Sequence, residues 1–175
     1  QVIYEAARDA ARQAIAESGA RVAALAVSTQ GQTFVSLDAR DRPLHPAILW
    51  YDSRAGAEAA ELGARIRAAD LHAPAHDVGA IASAPKILWL RRHRPEAMAP
   101  ARRYLLLPDY LNYRLTGEAA TDPCTAGTTG LSTERGLDYT PAALAAAEIG
   151  KESLARIQPS GTPVGRVLPR VAEEW

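Results

Sequence analysis

Two short polar clusters carry the side chains best suited to chemistry: Gln30-Gly31-Gln32 and, further on, Trp50-Tyr51-Asp52-Ser53-Arg54. A glutamine amide both donates and accepts hydrogen bonds, which suits Gln30 and Gln32 to hydroxyl groups, and Gly31 allows close backbone approach. A tryptophan can lie flat against the C–H face of a sugar ring, while Asp52 and Arg54 can hold hydroxyls or each other. The same residues also suit a plainer arrangement, with Trp50 in the core and Asp52–Arg54 as an ion pair at a helix start. Residue types alone leave both open.

Other groupings carry less. His72 and His76 are spaced like metal ligands, but no third ligand is evident and Ala73-Pro74-Ala75 breaks a regular helix, so no metal site is expected. Cys124 reads as an incidental or buried thiol. Arg91, Arg92, His93 and Arg94 share a helix with Ile87, Leu88 and Leu90, and read as its solvated side. Gly127-Thr128-Thr129-Gly130 lacks the lysine and the strand-to-helix setting of a phosphate cradle, and no Gly-x-Gly-x-x-Gly occurs.

The elements that must position the two clusters are α/β in pattern. Val2 to Ser18 has helical apolar spacing, stopped by Gly19. Arg21 to Ser28 is a near-continuous apolar run, expected to be a strand covered on both faces, with the Gln30–Gln32 cluster at its polar end, where α/β folds bind ligands. Thr33–Asp38 and Ala47–Tyr51 read as further strands, Arg40–Pro43 as a turn, and Arg54–Ala69 as a helix. Asp70–Gly79 reads as loop. Ser83–His93 reads as a helix with Pro85 in its first turn, Tyr104–Leu107 as a strand, and Pro108–Leu115 as a helix closed by Gly117. Glu118–Asp138 shows no period. Pro141–Glu148 reads as a short helix, Lys151–Ile157 as a further one, and Gln158–Val167 as turn-rich.

With 175 residues the chain can bury a sizeable core, and 47% apolar with 23% charged residues is ordinary globular usage. Twenty basic and 20 acidic side chains cancel, which removes the electrostatic footprint of a nucleic-acid or membrane-surface partner. No apolar run is long enough to span a bilayer. One cysteine cannot make an internal disulfide, so the cytoplasm is the expected compartment. The opening Gln1-Val2-Ile3-Tyr4 reads as a cut edge, as does the end at Trp175.

Taken in order, these blocks resemble the FGGY carbohydrate kinases. The resemblance rests on Ser28-Thr29-Gln30-Gly31-Gln32-Thr33, Leu37-Asp38, Arg42-Pro43-Leu44, Pro46 through Arg54, Ser83 through His93, Leu106-Leu107-Pro108-Asp109-Tyr110-Leu111, Arg114-Leu115-Thr116-Gly117-Glu118, Thr121-Asp122 and Gly161-Thr162-Pro163-Val164-Gly165. Ile81 departs from the usual small or aromatic residue of the family's first signature. The resemblance implies a ribonuclease H-like, actin/hexokinase-type α/β fold and transfer of the ATP γ-phosphoryl group to a sugar or polyol hydroxyl.

It further implies that residues 1–175 are a partial N-terminal, sugar-binding domain. The Asp-x-Gly-Thr phosphate-binding hairpin is then expected upstream, and the Gly-Gly-Asp catalytic base and the ATP-binding domain downstream. No catalytic residue is expected in the chain itself, which alone is expected to be inactive. ATP and Mg2+ are expected in the full-length enzyme and neither on this stretch. Substrate contacts carry over to Gln30, Gly31, Gln32, Trp50, Asp52 and Arg54. Lys86, Trp89 and Asp109 carry over as packing and helix-capping residues. Gly31-Gln32 stands where glycerol kinases have Arg-Glu and xylulokinases have Met-His, which argues against glycerol and, to a lesser degree, against D-xylulose. The partner is a small sugar or polyol, with homo-oligomerisation open; the alternative is a non-catalytic sugar-binding or regulatory remnant of a degenerate kinase.

Overall fold

The computed structural model describes residues 2–69, 78–133 and 136–175. Its elements are α1 (Val2–Ser18), β1 (Phe34–Leu37), α2 (Gly56–Ala69), α3 (Ser83–His93), α4 (Pro95–Met98), β2 (Arg103–Leu106), α5 (Leu107–Thr116), β3 (Ala120–Thr121), α6 (Pro123–Gly127), α7 (Pro141–Ala146), a 3-10 turn (Lys151–Ser153), β4 (Arg156–Ile157) and α8 (Pro169–Glu174).

The centre is the antiparallel pair β1–β2, in register from Phe34 opposite Leu106 to Leu37 opposite Arg103. Because strand side chains alternate between faces, the pair feeds two apolar clusters. Val35, Leu37, Leu105 and Leu107 turn to one side, where Tyr110 and Leu111 of α5 and Tyr4 of α1 cover them. Phe34, Tyr104 and Leu106 turn to the other, onto Ile87 and Leu90 of α3 and Met98 of α4. All four residues of β1 are buried. A third cluster joins α2, through Leu62 and Ile66, to Leu131, to Ala143, Leu144 and Ala146 of α7, and to Ala147 just after it. Arg92 on the outer side of α3 pairs with Glu61 of α2 at 2.6 Å, so the basic cluster is a solvated face with an ion pair across it.

Helix ends follow local chemistry. Gly19 and Gly117 take left-handed conformations after α1 and α5, φ +60° and +82°, and their N–H groups return to Ile15 and Tyr113. Asp122 caps α6, its carboxylate accepting from the N–H groups of Cys124 (2.8 Å) and Thr125 (3.1 Å).

Three expectations are corrected. The Arg21–Ser28 run forms no ladder with any described residue, and Val22 and Leu25 are 48% and 45% exposed rather than covered on both faces. An apolar run reads the same whether or not partners flank it. Ala47–Tyr51 shrinks to a single bridge, Ile48 with Phe34, because the chain turns away at Trp50. Lys151–Ile157 is not a helix: its first residues make a 3-10 turn, and Arg156–Ile157 pairs in parallel with Ala120–Thr121, two strands absent from the sequence reading. His72 and His76 lie outside the described residues. No helix among the described residues is long and apolar enough to cross a membrane.

Asp109, in the first turn of α5, is buried. Burial pushes its carboxyl up to about 7, against the lowering pull of the Thr121 hydroxyl and with the nearby Asp122 charge adding to the rise. The folded protein therefore holds this proton more tightly than the unfolded chain. The stabilisation is fully present below the ordinary value of 3.8 and is lost as the pH rises through about 7. Asp109→Asn should flatten the fall in melting temperature between about pH 4 and pH 8, measured against the unsubstituted protein. Parallel curves for the two proteins would contradict this assignment.

Candidate functional site

The chain enters β1 through a tight bend. The Thr33 N–H donates to the Gly31 carbonyl at 2.7 Å, closing a three-residue turn centred on Gln32, whose φ is +60°. A residue with a Cβ in that region stores strain, and such strain gathers at ligand sites. The turn swings the Gln32 carbonyl onto the Ser83 hydroxyl at the start of α3, 3.1 Å away. Gly31 sits against α6 and the turn after it: a Cβ there would lie 3.4 Å from Thr128 Cγ2, so a larger side chain would meet Thr128 directly.

The second segment is tied to the first by one buried hydroxyl. Thr33 Oγ1 accepts from the Trp50 backbone N–H and from Gln30 Nε2, both at 3.0 Å. Thr33 itself is fully buried, whereas Trp50 is 43% exposed, with its indole edge-to-face against Tyr51 at 5.6 Å. Trp50 is therefore a presented ring and not a core side chain. Beneath it, Lys86 of α3 is buried and donates from Nζ to the carbonyls of Leu49 (2.9 Å) and Trp50 (3.0 Å). Burial pushes the Lys86 amine down to about 8; the Asp52 carboxylate opposes that and the Arg54 cation adds to it.

Asp52 and Arg54 occupy each other. Arg54 Nε donates to both carboxylate oxygens (2.9 and 3.0 Å), and Nη2 reaches Oδ2 at 2.6 Å. The Arg54 side chain, with burial opposing it, holds the Asp52 carboxyl below the usual carboxylate range. The guanidinium lies 4.9 Å from the Trp89 ring centre, and Trp89 stacks on His93 at 4.5 Å. Of the two readings open in the sequence, this geometry supplies the ion pair beside the helix start, with α3 as its backing.

All six residues singled out by sequence thus lie on two segments meeting at Thr33. Gln30 and Trp50 are exposed, Gly31 and Gln32 are half-buried, and Asp52 and Arg54 pair with each other beside them. Sequence reading missed Thr33, Ser83 and Thr128 as site builders, and assigned Lys86 to packing. The clearest signal was Ser83-x-x-Lys86, a hydroxyl and a cation one turn apart on the buried face of a helix; Thr33 entered only as the end of the Ser28–Thr33 block, and Thr128 only within Gly127–Gly130.

A separate cleft of about 1210 Å³ runs between the Val22–Thr29 segment and the Gln158–Val167 turns, and neither Trp50 nor Gln30–Gln32 lines it. Among the described residues no three His, Cys, Asp or Glu side chains gather to hold a metal ion, and the carboxylates of Asp52 and Asp122 are already committed to Arg54 and to the α6 cap. The described residues therefore offer no carboxylate set for a magnesium ion.

Residues 1–175 match the model of the FGGY family of carbohydrate kinases, N-terminal domain. The chain is 34% identical over 160 residues to a xylulose kinase of Escherichia coli (strain K12), covering 88% of the chain and 32% of that protein. It is also 34% identical over 127 residues to an autoinducer-2 kinase of Enterobacter sp. (strain 638), covering 70% and 24%. Among solved structures, a xyloylose kinase from Brucella ovis superposes with TM-score 0.83 at 30% identity, over 95% of this chain and 34% of that one. A gluconate kinase from Lactobacillus acidophilus superposes with TM-score 0.86 at 22% identity, over 99% and 35%, a likeness of fold alone. These neighbours have the ribonuclease H-like, actin/hexokinase-type fold, and this mixed α/β chain shares it. The chain spans about a third of the length of the xylulose kinase that it matches.

Thr33→Val keeps the branched shape but removes the acceptor, leaving the Trp50 N–H without its partner. It should cost about 1–3 kcal/mol in urea unfolding, while Gln30→Ala at the exposed end stays within about 0.5 kcal/mol. Equal losses would show that the hydroxyl is not the joint.

Proposed function

The chain belongs to the FGGY family of carbohydrate kinases, and from that membership we propose that it supplies the sugar-recognition side of an ATP-dependent transfer of phosphate to a carbohydrate hydroxyl. One observation carries this reading: the Gln30 side-chain amide and the backbone N–H of Trp50, whose ring is partly exposed, both donate to the same buried hydroxyl of Thr33. The pair has the chemistry of a carbohydrate cradle. The indole offers an apolar face to ring C–H groups, and the Gln30 and Gln32 amides offer both donors and acceptors to hydroxyls.

Phosphoryl transfer has a loose transition state, so catalysis is mostly positioning and electrostatic stabilisation. In this reading the present residues do the positioning. The strained Gln32 turn and the Trp50 wall fix how the sugar lies, and hence which hydroxyl is offered for transfer. Asp52 and Arg54 hold the wall's edge through Trp89 and do not need to touch substrate. Two of the relatives are named as a xylulose kinase and an autoinducer-2 kinase, and the small neutral lining at Gly31-Gln32 argues against D-xylulose for this chain.

The test is a panel of ketoses, sugar acids and polyols offered with ATP to the full-length protein, read by ADP release. At least one should support turnover, and Gln32→Ala should raise its KM about tenfold or more while the ATP KM holds within about twofold. Equal rises in both would assign Gln32 a folding role. Sugar binding by calorimetry with no turnover would mark a non-catalytic sugar-binding protein instead.

A further inference from the structure

Helix α3 begins directly beneath the candidate site, and two polar side chains of its first turn point into it. Ser83 and Lys86 are three residues apart and so share one helix face. From that face Ser83 Oγ holds the Gln32 carbonyl (3.1 Å), and Lys86 Nζ holds the carbonyls of Leu49 (2.9 Å) and Trp50 (3.0 Å). One turn of helix thus grips both halves of the cradle by their backbones.

Lysine is a costly filler for such a place. Lys86 is 0% exposed, and burying a cation is unfavourable unless hydrogen bonds and charge compensate it. Methionine would fill the same space without that cost. What lysine adds is a compact head with three donors that can bind two carbonyls at once. Two successive carbonyls converge on one atom only if the peptide units turn between them, and the chain does turn at Trp50. Asp52 and Arg54 are the charged groups felt by Lys86, and they act in opposite directions on its charge.

We propose that Ser83 and Lys86 form a positioning clamp that sets the distance and angle between the Gln30–Gln32 bend and the Trp50 indole, and so governs sugar affinity. The clamp rests on the sugar-recognition reading above. Neither residue touches the sugar; both act through the backbone of residues that do.

The experiment compares Lys86→Met, Ser83→Ala and Gln32→Ala in the full-length protein, by steady-state kinetics with the sugar that best supports ADP release. Lys86→Met should raise the sugar KM about tenfold or more, with kcat reduced by less and the ATP KM within about twofold. Ser83→Ala, which deletes a single hydrogen bond, should raise the sugar KM about threefold to tenfold, and it decides the matter if Lys86→Met does not fold. A normal sugar KM in a folded Lys86→Met or in Ser83→Ala, with Gln32→Ala impaired, overturns the clamp and leaves the sugar site standing. Sugar and ATP KM rising together in the clamp variants also overturns it, since a loosened fold moves both. If no sugar is turned over or bound in calorimetry, the sugar reading itself fails and the clamp falls with it.

Discussion

The Thr33 hydroxyl is the joint on which the candidate site depends. It is fully buried, at the mouth of β1, and it accepts from two donors that the chain otherwise keeps far apart, the Gln30 amide and the Trp50 N–H. The Trp50 N–H holds its segment against this buried acceptor, because moving it away strands the hydroxyl from water, while the exposed Gln30 amide adds a second, weaker tie. Everything else at the site reinforces that arrangement. Ile48 bridges to Phe34 on the strand beside it, α3 holds the carbonyls from below, and the β1–β2 pair anchors the base between two apolar clusters.

Charge plays a bracing part. Asp52 and Arg54 are saturated by each other, and Arg54 continues into the Trp89–His93 stack, so the pair ties the Trp50 turn to α3. The two ionisable groups most displaced within reach of neutral pH, Lys86 and Asp109, owe their shifts chiefly to burial. Perturbed groups of this kind attract catalytic readings, yet here Lys86 binds backbone carbonyls and Asp109 lies in the first turn of α5 beside Thr121. Their chemistry serves geometry.

Features written in local pattern were legible in the residue order. Gly19 and Gly117 mark helix ends, Pro85 marks a first turn, and the Phe34–Leu37 run is a strand, because each is decided by its own backbone preferences and near neighbours. Features decided by distant contacts were not. The Val22–Val27 run has strand composition but no ladder among the described residues, Ala47–Tyr51 is bent away by Trp50, and the two-residue pair β3–β4 is too short to carry a period. The site divides in the same way. Gln30, Gly31, Gln32, Trp50, Asp52 and Arg54 announce themselves by type, while Thr33 looks like any strand threonine until Trp50 is folded onto it.

The most direct measurement is a crystal structure of the full-length protein with the sugar that supports ADP release. The account predicts the ring C–H face within about 4 Å of the Trp50 indole and a hydroxyl within about 3 Å of the Gln32 side-chain amide. A sugar bound with neither residue in contact would contradict it.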